Sequence, residues 1–140
     1  MKKFSLICAL FVVIFMLSSC SDNTDFSEAT EMLDSFATDR GGKVVIYMPQ
    51  NDNKVPEIII SLYGSSGIAP DELELTDFAG IWYSQQREIG DYAIFHAINA
   101  TDTDSIIKMC QRRATTLKLV SGTDMEIYSS GHYVIAIANP

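Results

Sequence analysis

Disulfide chemistry is the first thing this chain lacks the parts for. Its three cysteines, Cys8, Cys20 and Cys110, are scattered over 140 residues, with no C-x-x-C and no framework spacing, so small disulfide-stapled and zinc-knuckle folds are excluded. Base is scarce as well: 10 Lys and Arg face 18 Asp and Glu, a formal charge of -8. A surface this acidic repels phosphate backbones and anionic head groups, which argues against nucleic acid and against electrostatic membrane binding. Cationic partners and divalent metal remain compatible, although surplus carboxylate most often serves solubility. Histidine occurs only at 96 and 132, without H-x-x-x-H or H-E-x-x-H spacing. There is no G-x-S-x-G elbow and no G-x-x-x-x-G-K-[ST] loop, so the common hydrolase and nucleotide signatures are missing. Repeats and low-complexity tracts are missing too. No apolar run reaches the roughly 20 residues of a membrane span.

The longest such run is Phe4 to Leu17, FSLICALFVVIFML, preceded by Lys2 and Lys3 and followed by Ser18-Ser19-Cys20 and the polar SDNTD. A short apolar core behind a basic start reads as a secretory signal. Leu17-Ser18-Ser19-Cys20 resembles the lipobox of bacterial lipoproteins, in which cleavage falls between Ser19 and Cys20. There the thiol takes a diacylglycerol, and the freed amine is acylated, typically with palmitate. Each buried methylene contributes about 0.8 kcal/mol, so two or three chains anchor stably where one does not. Cleavage would discard Cys8, leave Cys110 alone and move the charge from -8 to -10, because only Lys2 and Lys3 are lost. The expected organisation is a signal peptide over 1–19, a lipidated tether over 20–25 and one domain over 26–140.

Within that domain, Phe26, Ala29, Leu33 and Phe36 mark a helix ended by Gly41-Gly42, with capping-box spacing at Asp25 and Glu28. KVVIYMP (43–49) has strand propensity. PEIIISLYG (56–64) fits either a strand or a helix begun by Pro56, and SSGIAPDEL (65–73) is loop-like. DFAGIWYSQQR (77–87) and YAIFHAI (92–98) read as strands about a turn at Gly90-Asp91. Thr101 to Val120 reads as a helix with an Ile106, Ile107, Cys110, Ala114 and Leu117 stripe and a Thr101–Asp104 capping box. DMEIYSSGHYVIAIA (124–138) reads as a hairpin turning at Ser129-Ser130-Gly131. The pattern predicts an α+β fold: an antiparallel sheet of about four strands packed against helices.

The motifs LYG, GIAPDELE, DYAIFHA, the helix after TDTD with QRR, and GHYVIAI together resemble the bacterial lipoproteins of domain-of-unknown-function family 4358. The likeness covers roughly the second half to two-thirds of the chain. It implies that 58–63 is helical and that His96, which stands where the family has lysine, lies on a solvent face. The chain departs from the family in ending at Asn139-Pro140 without a further helix, and in segment 41–55. The resemblance implies no catalytic residues.

Chemistry-bearing residues are few. If their strands are neighbours, His96 and His132 could approach each other and recruit a carboxylate as a zinc site. NATDTDS (99–105) has the acids of a calcium loop without its glycine and glutamate, and helix capping accounts for them. Trp82, Tyr83 and Tyr92 offer either a stacking platform or core packing. The function expected is a non-catalytic binding or scaffolding module, without cofactor. Cys20 would hold it on the extracytoplasmic face of the cell membrane, where it would dock an envelope protein or peptide on a sheet face or edge. The alternatives are a small envelope hydrolase or a metal-binding lipoprotein using His96 and His132.

Overall fold

The computed structural model describes residues 25–85 and 91–139. The signal segment 1–19, Ser19 and Cys20 themselves, and the Gly90 turn lie outside the described residues. In chain order the elements are α1 (Ser27–Arg40), β1 (Lys43–Tyr47), α2 (Glu57–Tyr63), a 3₁₀ turn (Asp71–Leu75), β2 (Thr76–Tyr83), β3 (Asp91–Ala97), a 3₁₀ turn (Ala100–Asp102), α3 (Thr103–Ser121), β4 (Asp124–Ser130) and β5 (Tyr133–Asn139). The α+β reading holds, with five strands in one antiparallel sheet rather than about four. Their order is β1-β2-β3-β5-β4. β1 adds the fifth strand by pairing along β2, from Lys43 opposite Tyr83 to Tyr47 opposite Ala79.

Because side chains alternate across a strand, each strand feeds two cores. Val45, Ala79, Ile81, Ala93, Phe95, Val134 and Ala136 pack with Ile59, Leu62, Ile106 and Met109 from α2 and α3. On the opposite face, Phe78, Trp82, Tyr92, Ile94, Ile135 and Ile137 meet Ala29, Leu33 and Phe36 of α1. Helices therefore cover both faces, and β3 is buried at every position. That double burial is why DYAIFHA is nearly continuously apolar where a half-exposed strand would alternate with polar residues.

Local chemistry sets the element ends. Gly41 (φ 73°) and Gly42 (φ 81°) turn the chain out of α1. A Cβ on Gly42 would lie 2.5 Å from the Tyr83 carbonyl and 2.8 Å from Trp82 Nε1, so glycine is required there twice over. Pro56 precedes α2 and Gly64 follows it, which resolves 56–63 as helix. Neither expected capping box forms: Phe26 and Asp102 occupy the N-cap positions without side-chain caps. Asp25 instead accepts the Ser27 N–H at 2.9 Å, and the Thr103 hydroxyl donates to the Ala100 carbonyl at 2.9 Å, inside the 3₁₀ turn that leads into α3. The β4–β5 hairpin turns at Gly131-His132, one residue later than the sequence suggests, since Ser130 pairs with Tyr133. Gly131, with φ 59°, supplies the positive φ that a two-residue turn needs at its first position.

Candidate functional site

Three places concentrate polar chemistry. The first is built on a β-bulge. The β2–β3 register slips between Thr76 and Phe78, leaving Asp77 as the extra residue, and a bulge re-aims its side chain. Asp77 Oδ1 thereby comes within 2.6 Å of His96 Nδ1. His96 is buried, its side chain 8 % exposed, which corrects the expectation of a solvent face: it sits among Phe26, Tyr133 and His132. The strands carrying the two histidines are indeed neighbours. Their rings lie 10° from parallel with centroids 5.1 Å apart, and His132 Nδ1 is 2.9 Å from the Ala97 carbonyl. Burial is the main influence holding His96 below the ordinary imidazole value; the Asp77 hydrogen bond and charge oppose it, and His132 adds to it.

With Nδ1 of each ring donating to a fixed oxygen, each Nε2 is left as the basic nitrogen. A metal must lie near the plane of every imidazole it binds, and two parallel planes cannot both contain one ion. The pair is brought together in the wrong attitude for a shared metal. Among the described residues no group of three or more His, Cys, Asp or Glu side chains is arranged to hold a metal ion.

The second place lies on the other side of the sheet, at the head of β3. Asp91 has no exposed surface, and its carboxylate is held from two helices. Tyr63 of α2 donates to Oδ2 at 3.1 Å, and Arg113 of α3 donates from Nη2 to Oδ1 at 2.9 Å. Burial first, and then the neighbouring carboxylate, push the Tyr63 phenol well above its ordinary value, so it stays a donor. Cys110 sits close by, buried, its thiol likewise pushed up by burial and by Asp91. A thiol in that condition is a small hydrophobe and a poor nucleophile.

The third is a cleft of about 600 Å³ beside this network, within the size range of ligand sites. The end of α2, the Gly64–Ile68 turn and α3 form its walls, with the Ser61, Ser65, Ser66 and Thr116 hydroxyls and the Arg112–Glu72 ion pair (2.6 Å) on its surface. Arg113 also lines it, with Nε buried and lacking a hydrogen-bond partner among the described residues. The turn holds Ser66 in the left-handed region at φ 51°, the only non-glycine so placed among the described residues. The GSSG stretch is thus one wall of a groove.

Sequence reasoning passed over Asp91, Tyr63, Arg113 and Asp77. A signal for the first three was available: Arg113 is seven residues after Ile106 and three after Cys110, on the buried stripe of α3. A charge on that stripe demands a buried counter-charge. Asp77 had no such signal, because a bulge is not encoded by spacing. Trp82 and Tyr92 stack on each other at 5.0 Å in the core, and Trp82 donates to the Gly41 carbonyl at 2.7 Å. These two aromatics fill the interior and offer no platform. Comparison with protein-family models, with curated proteins and with solved structures gives no match.

Proposed function

We propose that this chain is a lipid-anchored, non-catalytic binding module of the bacterial envelope, held at the extracytoplasmic membrane face through Cys20 and docking its partner in the α2–α3 cleft. The observation that carries the reading is the sequence Leu17-Ser18-Ser19-Cys20 behind a short apolar core, with a folded domain whose first helix starts soon afterwards at Ser27. The motifs that resemble those of domain-of-unknown-function family 4358 point the same way. The cleft is favoured over the β1 and β4 edges because it is concave and joins hydroxyls, an ion pair and apolar wall residues. Such a lining suits a polar peptide segment better than a wholly apolar ligand.

The polar clusters support a non-catalytic role by what they are already engaged in. Asp91, Tyr63 and Arg113 bond one another, and His96 is enclosed by rings and committed to Asp77 at Nδ1. General acid–base work needs a group within reach of substrate. The test is complementation of a deletion strain. Cys20→Ala and the cleft-filling Thr116→Trp should each fail, while His96→Gln/His132→Gln should work at neutral pH, all three at normal folded abundance. Failure of the histidine variant beside success of the other two would move the assignment to an enzyme.

A further inference from the structure

Phe26, the residue before α1, is seated in the histidine cluster. Its ring stacks on Phe78 with centroids 4.7 Å apart and meets His96 edge-on at 5.2 Å. Tyr133 of β5 closes His96 from another direction at 4.6 Å, and His132 lies parallel at 5.1 Å. The titratable groups around the pair are Asp77 from the β2 bulge, the Tyr133 phenol from β5, and, next to Phe26 in sequence, Asp25, which is exposed and bonded to the Ser27 N–H. Among the described residues Asp77 alone touches an imidazole as a carboxylate, so their cluster has one negative charge to set against two possible positive ones.

Those facts make the stack sensitive to its second proton. With one imidazole protonated, Asp77 balances the charge. With both protonated, two cations face each other at 5.1 Å, and for His96, enclosed by the Phe26 and Tyr133 rings, neither Coulomb repulsion nor burial favours the arrangement. We propose that the His96–His132 stack is an acid-sensitive latch on the start of α1, closed while no more than one imidazole carries a proton and opened by the second, which releases Phe26. Burial and the His132 charge both hold His96 below its ordinary value against the pull of Asp77, so the latch favours the closed state at neutral pH and opening is displaced toward acid. α1 is the described helix nearest in sequence to Cys20. Its first turn is fastened by the Thr30 N–H to Phe26 carbonyl bond of 3.0 Å, so unlatching loosens the end of the domain that faces the tether.

The test is hydrogen–deuterium exchange of the purified full chain in detergent at pH 7.5 and pH 5, corrected for the intrinsic pH dependence of exchange. Amides of 27–33 should lose protection by about tenfold in acid while those of 106–117 keep theirs, which separates latch opening from global unfolding. His132→Phe, which keeps a stacked ring and removes the second charge, should stay protected at both pH values. Unchanged protection over 27–33 in the wild type, or an equal loss in His132→Phe, overturns the proposal. Should that variant fail to fold, an NMR titration of the wild-type imidazoles decides instead. The Phe26 ring resonances should move with the second protonation; movement with the first, or none, contradicts the latch.

Discussion

Asp91 is a carboxylate without exposed surface, and its neighbours define what its removal must do. Losing it strands the Arg113 guanidinium, whose side chain is 9 % exposed, beside a buried tyrosine. Breaking one side of a buried pair typically costs about 3–5 kcal/mol, more than the pair itself contributes over an apolar substitute. Asp91→Ala should therefore lower unfolding stability by that amount in urea melts. The double variant Asp91→Leu/Arg113→Met should recover most of the loss, and additive losses would show that the two side chains do not act as a unit. His96 gives the second residue-scale expectation. Its folded form binds a proton less readily than the unfolded chain, whose imidazole titrates near 6.5. Stability is thus full above about pH 6.5 and declines as the pH falls through that value toward the lower folded one. The urea midpoint should drop between pH 7.5 and pH 5.5, and His96→Phe should flatten that drop. At this scale the sequence named both histidines, but the family resemblance placed His96 on a solvent face, whereas the rings of Phe26, Tyr133 and His132, brought in from other segments, enclose it.

The two long helices, α1 and α3, were the most legible elements, whereas the short α2 read equally well as a strand. Apolar spacing of three and four residues with glycine at the C-terminal end is a local signal; Gly41 stops α1 where that signal places it, and α3 runs to Ser121 before Gly122, one residue past the expected end at Val120. Within α3 the stripe holds at Ile106, Cys110 and Leu117, but Met109, which is fully buried, was passed over and Ile107 is only partly buried. Ile106→Ala should cost about 2–5 kcal/mol, the range for truncating a buried aliphatic side chain. Ile107→Ala should cost distinctly less, and equal losses in denaturant unfolding would contradict the orientation of α3 on the sheet. What the sequence concealed at this scale is non-local. β1 belongs to the sheet through its register with β2, and a pairing partner many residues away leaves no trace in a five-residue run. The Thr101–Asp104 capping box failed although its spacing fits, because a 3₁₀ turn before α3 already engages the Asp102 and Thr103 N–H groups with the Asn99 and Ala100 carbonyls.

For the whole molecule, a three-layer domain has a cleft on its α2–α3 side, and the polar SDNTD run separates it in sequence from Cys20, which we propose is acylated. No described helix is long and apolar enough to cross a membrane. The proposed tether and lipobox are read by order and composition alone and, Asp25 apart, lie outside the described residues. The cleft was not legible in that way, because its walls come from segments more than 40 residues apart in sequence, from Ser61 to Thr116. The central claim is tested most directly by expressing the full chain in a bacterial host with labelled palmitate and measuring the intact mass of the membrane-extracted protein. The account predicts a chain that begins at Cys20, carries a diacylglycerol thioether and incorporates label, with both mass shift and label lost in Cys20→Ala. A mature chain that begins at another residue, or a Cys20 of unmodified mass, would contradict it.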